Sequence, residues 1–339
     1  MNDVIIVACP SLFQFPNGVL PTFETVMYLI LALRGFILAI IFAALLTERL
    51  RFLRSTFLAY GKLVTTALPP ASSLSARLGT LTVPKTWFAH FYLVNLALTL
   101  VTACEIRGLL TSGRLGALLK VLRRLDTPEM GDREPVQECI LGLAFMIMQL
   151  GRRSYECLFV ERASTTAKMH VAHYAVGLGY YFTMVMGSWA EGAANLGVWS
   201  DEPTLVPPLR SFLQPHHLLA LSLFLYASVH QYHCHSILAS LRSAPATPGA
   251  PIEARYSIPR GDWFEYVTTP HYFCDVLVYF SFCVLTRFQN WTLILTFSWT
   301  VINLGIVAKE TDAWYKHTFG DKYKEAFPRG RWAMLPGIF

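Results

Sequence analysis

Gln231, His235, Leu238 and Arg242 stand four, three and four residues apart. On a helix this spacing makes one stripe, which would carry an amide, an imidazole and a guanidinium towards one ligand. The planar fork of Arg242 suits a phosphate, because it can bind two oxygens at once. Other polar groups share the placement of this stripe, inside or beside apolar runs. They are His90, Arg152, Arg153, Glu156, His170, His173, His271, Asp275, Glu310 and Tyr315. Ionisable groups in a membrane are costly and usually face a bundle interior or a wet cavity. Each of them could also simply mark the water interface. His230, His233 and His235 invite a metal reading, but no His-x-x-x-His or His-x-x-His-His box occurs among the ten histidines. No metal is therefore expected there.

The elements that must position these groups are membrane helices. Of 339 residues, 54% are hydrophobic and only 15% charged, against roughly a quarter charged in soluble domains. The net charge of +6 is small and does not suit a nucleic-acid partner. Hydropathy gives an all-α, polytopic fold of about seven transmembrane spans, at 25–47, 87–104, 139–160, 170–189, 213–238, 272–286 and 291–308. The sixth is short for a hydrocarbon core of ~30 Å. The run 243–251 reads as a flexible cytosolic loop. The seven cysteines are scattered through the chain without a Cys-x-x-Cys pair, so neither a disulfide framework nor a cysteine zinc site is indicated.

Positive charge orients the bundle. Arg49, Arg51, Arg54, Lys62, Arg77 and Lys85 face Glu48 alone in the first loop, which reads as cytosolic. Seven spans then put the N-terminus in the lumen and the C-terminus in the cytosol. The polar residues of the stripe and its companions collect at the cytosolic end, which predicts a cytosol-facing cavity. The 107–135 loop is an exception. Its Arg114, Lys120, Arg123, Arg124 and Arg133 would be lumenal, unless a helical hairpin there returns to the interface.

Between two apolar blocks lies the polar, aromatic run 254–275, where Pro259 and Gly261 set a turn and Pro270 opens the next span. Its segment Ile258-Pro259-Arg260-Gly261-Asp262-Trp263-Phe264-Glu265-Tyr266-Val267 closely resembles a signature of the steroid 5α-reductase family, in the polyprenol (polyprenal) reductase branch. The runs from His230 to Leu238 and from Val83 to Tyr92 resemble the same branch. The likeness extends from about Val83 to the C-terminus. It divides the chain into 1–82, a lumenal N-terminus with first span and cytosolic loop, and 83–339, a reductase-like membrane domain.

The resemblance implies NADPH as cofactor, gripped by Gln231, His235 and Arg242, then Tyr256, His271 and Asp275, and finally Tyr315 in a tail that closes over it. Arg153 is added to this set from its place near the cytosolic end. His271 stands where relatives carry Asn. Steroid-reducing members have Trp-Phe-x-Gln-Glu in the second span, where this chain has Trp87-Phe88-Ala89-His90-Phe91. The glutamate that holds a steroid carbonyl is thus absent, which argues against a 3-oxo-steroid. His90, with Tyr92 near it, is the best electrophile, and Glu156 the next, unless it merely pairs with Arg152 or Arg153. Trp263, Phe264 and Tyr266 read as an interfacial aromatic belt, and Asp262 and Glu265 as solvated.

The implied activity is reduction of the α-isoprene double bond of a long-chain isoprenoid, polyprenal or polyprenol, on the route to dolichol. That route serves protein N-glycosylation in the endoplasmic reticulum membrane. Hydride addition to a carbon–carbon double bond needs an electron sink. An α,β-unsaturated aldehyde has one and an allylic alcohol does not, so the aldehyde is the expected substrate. Two other classes remain open. Phe319-Gly320-Asp321-Lys322-Tyr323 resembles the tail of membrane lipid and isoprenylcysteine methyltransferases. A non-enzymatic lipid-binding scaffold would tolerate loss of His235 and Arg242.

Overall fold

A computed structural model describes residues 28–49, 81–125, 134–162, 167–200, 204–242 and 256–339. Helices dominate: α1 (Tyr28–Arg49), α2 (Ala89–Ser112), α3 (Ala117–Leu125), α4 (Val136–Tyr155), α5 (Val171–Gly187), α6 (Pro215–Ser240), α7 (Pro270–Leu285) and α8 (Trp291–Ala326). All but the short α3 occupy the seven apolar runs. Three stretches, Leu29–Arg49, Lys85–Ser112 and Trp291–Ala326, are long and apolar enough to cross a membrane by length and composition. The run 243–251 and Cys9 lie outside the described residues. The six described cysteines are all free thiols.

The helices bury one stripe and leave apolar side chains outside, as lipid requires. In α1 the buried positions are Ile30, Leu33, Ile37 and Ile40, while Leu31, Leu38 and Phe42 are exposed. The alternation follows the helical period, but both faces are apolar, so the outer one suits acyl chains. α6 and α7 share the most extensive interface, α2 packs on α4 and α5, and α8 on α1 and α7. At the centre Phe145 stacks on Phe224 with ring centroids 4.6 Å apart and meets Phe282 edge-on at 5.6 Å.

Gly142 lets α4 approach the end of α5. A Cβ built there would lie 2.6 Å from the Ser188 carbonyl oxygen. Backbone cannot retreat as a flexible side chain can, so Gly142→Ala is expected to destabilise by about 1–3 kcal/mol. A thermal melt of the purified variant, unchanged from wild type, would refute that contact.

Of three sequence expectations, the end of the last helix changes, the shortness of the sixth span holds, and the 107–135 loop gains a described helix. The helix of the seventh span, α8, does not stop at 308 but runs to Ala326, with a kink at Gly320 (φ 49°, ψ −118°). α7 has 16 residues, hence about 24 Å of rise, short of a ~30 Å core. It is tolerated because its residues from Val278 to Leu285, Phe280 apart, are buried among neighbours. In the basic 107–135 loop, α3 lies against the bundle through buried Leu119 and Leu122, which join Ile106, Leu109 and Trp189. The Glu105 carboxylate accepts from the Leu118 and Leu119 amides at 3.1 and 3.0 Å. It therefore caps the positive end of that helix.

A two-stranded antiparallel ribbon, β1 (Thr82–Pro84) with β2 (Lys168–His170), pairs Val83 with Met169. It pins the starts of α2 and α5 together at the end of the bundle where α4 and α6 finish and α7 begins. That is the end carrying the polar residues.

Candidate active site

α4 delivers two arginines and then loosens into a π-helical turn, Glu156–Val160. Such turns are rare and often mark functional sites. Here the turn comes soon after Arg152 and Arg153 and brings Glu156 between them. Each guanidinium pairs with one oxygen of the fully buried Glu156 carboxylate. Arg153 also donates to the Tyr92 hydroxyl from Nε (3.3 Å) and Nη2 (3.2 Å), and pairs with Glu161 at 2.9 Å. His235 Nδ1 lies 2.6 Å from Glu156 Oε2 and 2.7 Å from Arg153 Nη1. Gln231 accepts from Arg152 and donates to the His271 carbonyl oxygen at 3.1 Å. The imidazoles of His235 and His271 stand 5.7 Å apart.

This cluster joins four helices and is close to charge balance. Two guanidinium groups face the carboxylates of Glu156 and Glu161, and imidazole and amide groups take the remaining sites. Buried charges of this kind persist only when paired and hydrogen-bonded. Among the buried polar atoms of the cluster that have no hydrogen-bond partner among the described residues are two donors, Arg152 Nε and Gln149 Nε2, and one acceptor, Asp275 Oδ1.

Of the residues singled out from sequence, Tyr92, Arg153, Glu156, Gln231, His235, His271 and Asp275 come together here. Glu156 also has the simpler role weighed for it, since it pairs with both arginines. His90 lies apart from this cluster. Its Nδ1 is 3.0 Å from the Tyr174 hydroxyl, and its ring packs on Trp87. Arg242 is exposed at the end of α6 and donates to the Arg162 carbonyl oxygen at 3.1 Å. Tyr256 packs on Trp314 with centroids 5.1 Å apart. Tyr315 is buried beside Phe319, Tyr323 and Phe327. The stripe on α6 therefore has two members in the cluster and one at the rim.

Two readings of the 254–275 run are corrected. Phe264 belongs to no interfacial belt: it is 0% exposed. Its carbonyl accepts from Arg331 at 2.9 Å, which fastens the C-terminal tail over it. Asp262 is not solvated, for it accepts from His230 Nδ1 at 2.8 Å and pairs with His233 at 3.4 Å. The three histidines between 230 and 235 thus go to different partners, two to Asp262 and one to Glu156. The predicted turn is present, with Gly261 at φ 89°, where a side chain would be strained.

Sequence reasoning missed Tyr174, Gln149 and a chain of tyrosines leading inward from Tyr92. Gln149 accepts from Arg152 at 2.7 Å. The Tyr92 ring meets Tyr181 edge-on at 5.0 Å, and Tyr279 donates to the Tyr181 hydroxyl at 3.2 Å. The Tyr180-Tyr181 doublet was the available signal. Arg34, midway along α1, pairs with Glu191 at 2.7 Å, away from this cluster.

Fold and cluster together define an all-α integral-membrane protein with a buried arginine–carboxylate cluster at one end. Residues 203–339 match the family described as 3-oxo-5-alpha-steroid 4-dehydrogenase. A polyprenal reductase of Xenopus tropicalis is 33% identical over 76% of this chain and 80% of its own length. The polyprenal reductase 1 of Oryza sativa subsp. indica is 30% identical over 85% and 89%. The human polyprenal reductase is 30% identical over 76% and 78%. The chain belongs to the steroid 5α-reductase family, in its polyprenal reductase branch.

Proposed function

We propose that this protein is an NADPH-dependent oxidoreductase that saturates the α-isoprene double bond of polyprenal on the route to dolichol. The observation that carries the reading is the 30–33% identity to polyprenal reductases over three-quarters or more of the chain. The endoplasmic reticulum membrane, with the C-terminus and the Arg153 cluster on the cytosolic side, follows from the dolichol route and from the positive charge of the first loop.

The cluster fits a nicotinamide. An open donor (Arg152 Nε) and an open acceptor (Asp275 Oδ1) match the mixed hydrogen-bonding edge of its carboxamide. Gln231, His235 and His271 would flank it, and Tyr256 and Tyr315 would close over the rest. Arg242, exposed at the rim, would meet a phosphate. When bound, the cofactor supplies the hydride.

The chain's own task is to manage the charge that gathers on the substrate oxygen. Tyr92 accepts two N–H groups from Arg153 and keeps its own proton to donate. Those two contacts fix the orientation of the hydroxyl, so that it can donate to a developing enolate. His90, braced by Tyr174, is the second candidate for that position. Glu156 and His235 hold Arg153 in place. The apolar outer faces of the helices offer the lipid-facing surface that a long isoprenoid requires.

The test uses the purified full-length chain with NADPH or NADH and either polyprenal or polyprenol. Reduction of the aldehyde's α-double bond with NADPH is expected, with little reaction of the alcohol. Rapid reduction of polyprenol with aldehyde excluded would overturn the substrate assignment. Equal use of NADH would overturn the cofactor assignment.

A further inference from the structure

At the end of the bundle opposite the Arg153 cluster, a second polar group is buried where α4 and α6 begin and α7 turns into α8. Glu138 of α4 is 2% exposed and His217 of α6 is 3% exposed. Glu138 Oε1 lies 3.4 Å from His216 Nε2 and 3.8 Å from His217 Nε2. One ligand atom from each of the three residues falls within 4.8 Å of the others. Zinc bonds of about 2.0–2.1 Å in a tetrahedron place neighbouring ligand atoms about 3.3 Å apart. The two spacings at Glu138, 3.4 and 3.8 Å, lie close to that value.

The tautomer of His217 gives an independent reason to expect a cation. Its Nδ1 is 3.2 Å from the Phe212 carbonyl oxygen, which can only accept, so Nδ1 carries the proton. Nε2 is then a lone pair in the neutral ring. It is buried without a hydrogen-bond partner and turned towards a carboxylate oxygen. A buried ring nitrogen without a partner beside a carboxylate is costly, and a proton or a metal ion between the two offsets that cost. A ring N–H held by a backbone carbonyl, with the other nitrogen bare, is also how metal-binding histidines are oriented. A second buried atom without a partner, Glu134 Oε1, belongs to a residue lining the same small pocket as Glu138 and Glu191.

A cation already stands at this carboxylate. Arg287 Nη2 is 3.3 Å from the same Glu138 Oε1. Its guanidinium takes the position of a metal charge but donates nothing to His217 Nε2. Arg287 sits in the α7–α8 turn, at φ 51° beside Phe288 at φ 58°. Its side chain is 48% exposed, so it can swing into solvent at little cost.

We propose that Glu138, His216 and His217 form a binding site for a divalent transition-metal ion, zinc by ligand type, that ties the starts of α4 and α6 together. His–His–Glu ligation leaves a fourth position for water. The site departs from the sequence expectation of a metal-free protein, which considered only cysteines and the histidine boxes. It is independent of the reductase assignment.

Zinc uptake by the detergent-purified full chain tests this, read by metal analysis and by the visible spectrum of the cobalt(II)-loaded protein. About one equivalent should be retained, with a tetrahedral cobalt band, and zinc should raise the melting temperature by roughly 3 °C. His216→Ala, at a partly exposed position, should abolish all three effects while the protein still folds. Arg287→Ala should bind zinc more tightly, because it removes the competing charge. If wild type and His216→Ala take up zinc alike, or Arg287→Ala gains no affinity and merely melts earlier, the cluster is an ion-pair network and the proposal fails.

Discussion

Glu156→Ala is expected to remove activity and most of the stability of this end of the bundle together. One carboxylate serves Arg152, Arg153 and His235, and its residue is fully buried. Deleting it leaves like charges facing each other, with Glu161 at the rim as the acid still paired to Arg153. Breaking a buried pair by removing one partner costs about 3–5 kcal/mol, and each ~1.4 kcal/mol is tenfold in rate or population. Turnover should therefore fall at least about a hundredfold and the melting temperature should drop. Glu156→Gln separates charge from shape. It keeps the size and one acceptor, so it should fold better than Glu156→Ala but still leave Arg153 mobile and turnover poor. If Glu156→Gln turns over polyprenal at the wild-type rate, the carboxylate does not hold Arg153 on Tyr92, and the proposed donor arrangement is wrong.

Such a cluster is only partly visible in a linear chain. Arg152, Arg153 and Glu156 sit three and four residues apart, and that local spacing is enough to expect pairing. Gln231 and His235 are also one helical turn apart, so their common face could be read. Their meeting with α4 across 79 and 82 residues could not. The seven apolar runs were legible for a different reason. A lipid-facing helix is apolar on both faces, so average hydropathy suffices and no burial pattern is needed. Where a helix is covered by protein, that signal loses its meaning. α7 is short because it need not meet lipid, and α8 continues past the apolar run because its polar second half packs against the tail. Phe264 and Asp262 were misread on similar grounds. An aromatic residue beside an apolar block looks the same whether it meets headgroups or a distant tail. An aspartate in a turn looks solvated until two histidines reach it. The Glu138–His216–His217 group escaped notice because its two histidines are adjacent and its acid lies 78 residues away, a spacing that matches no metal motif.

Arg331 is expected to be the most sensitive residue outside the two clusters. The tail returns along the 254–275 run: Thr268 and Thr269 amides donate to the Trp332 and Ala333 carbonyls at 2.8 and 3.1 Å, and the Trp332 amide donates to Tyr266 at 3.0 Å. Backbone bonds of this kind are weak singly and need a buried anchor. Arg331 supplies it. Its guanidinium lies 3.9 Å from the Phe327 ring centroid and 5.0 Å from that of Tyr323. It donates to the Phe264 and Pro259 carbonyls at 2.9 and 3.3 Å and to the Tyr323 hydroxyl at 3.2 Å. Cation–π contact in a dry site is worth about 2 kcal/mol, and hydrogen bonds to a charged group about 1.5–3 kcal/mol each. Arg331→Ala also orphans buried carbonyls, so a loss near ~3 kcal/mol is expected. Hydrogen exchange should become fast at Thr268, Thr269 and Trp332 while the amides of α6 stay protected. Arg331→Lys keeps the charge but loses the planar fork, and should recover only part of the protection. Since Tyr315 packs on Phe319 and Tyr323 within the same aromatic group, loosening the tail should also weaken the NADPH binding proposed above without touching the Arg153 cluster. Unchanged exchange in Arg331→Ala would mean that the backbone pairing holds the tail alone, and that Tyr315 is positioned by α8 rather than by closure of the C-terminus.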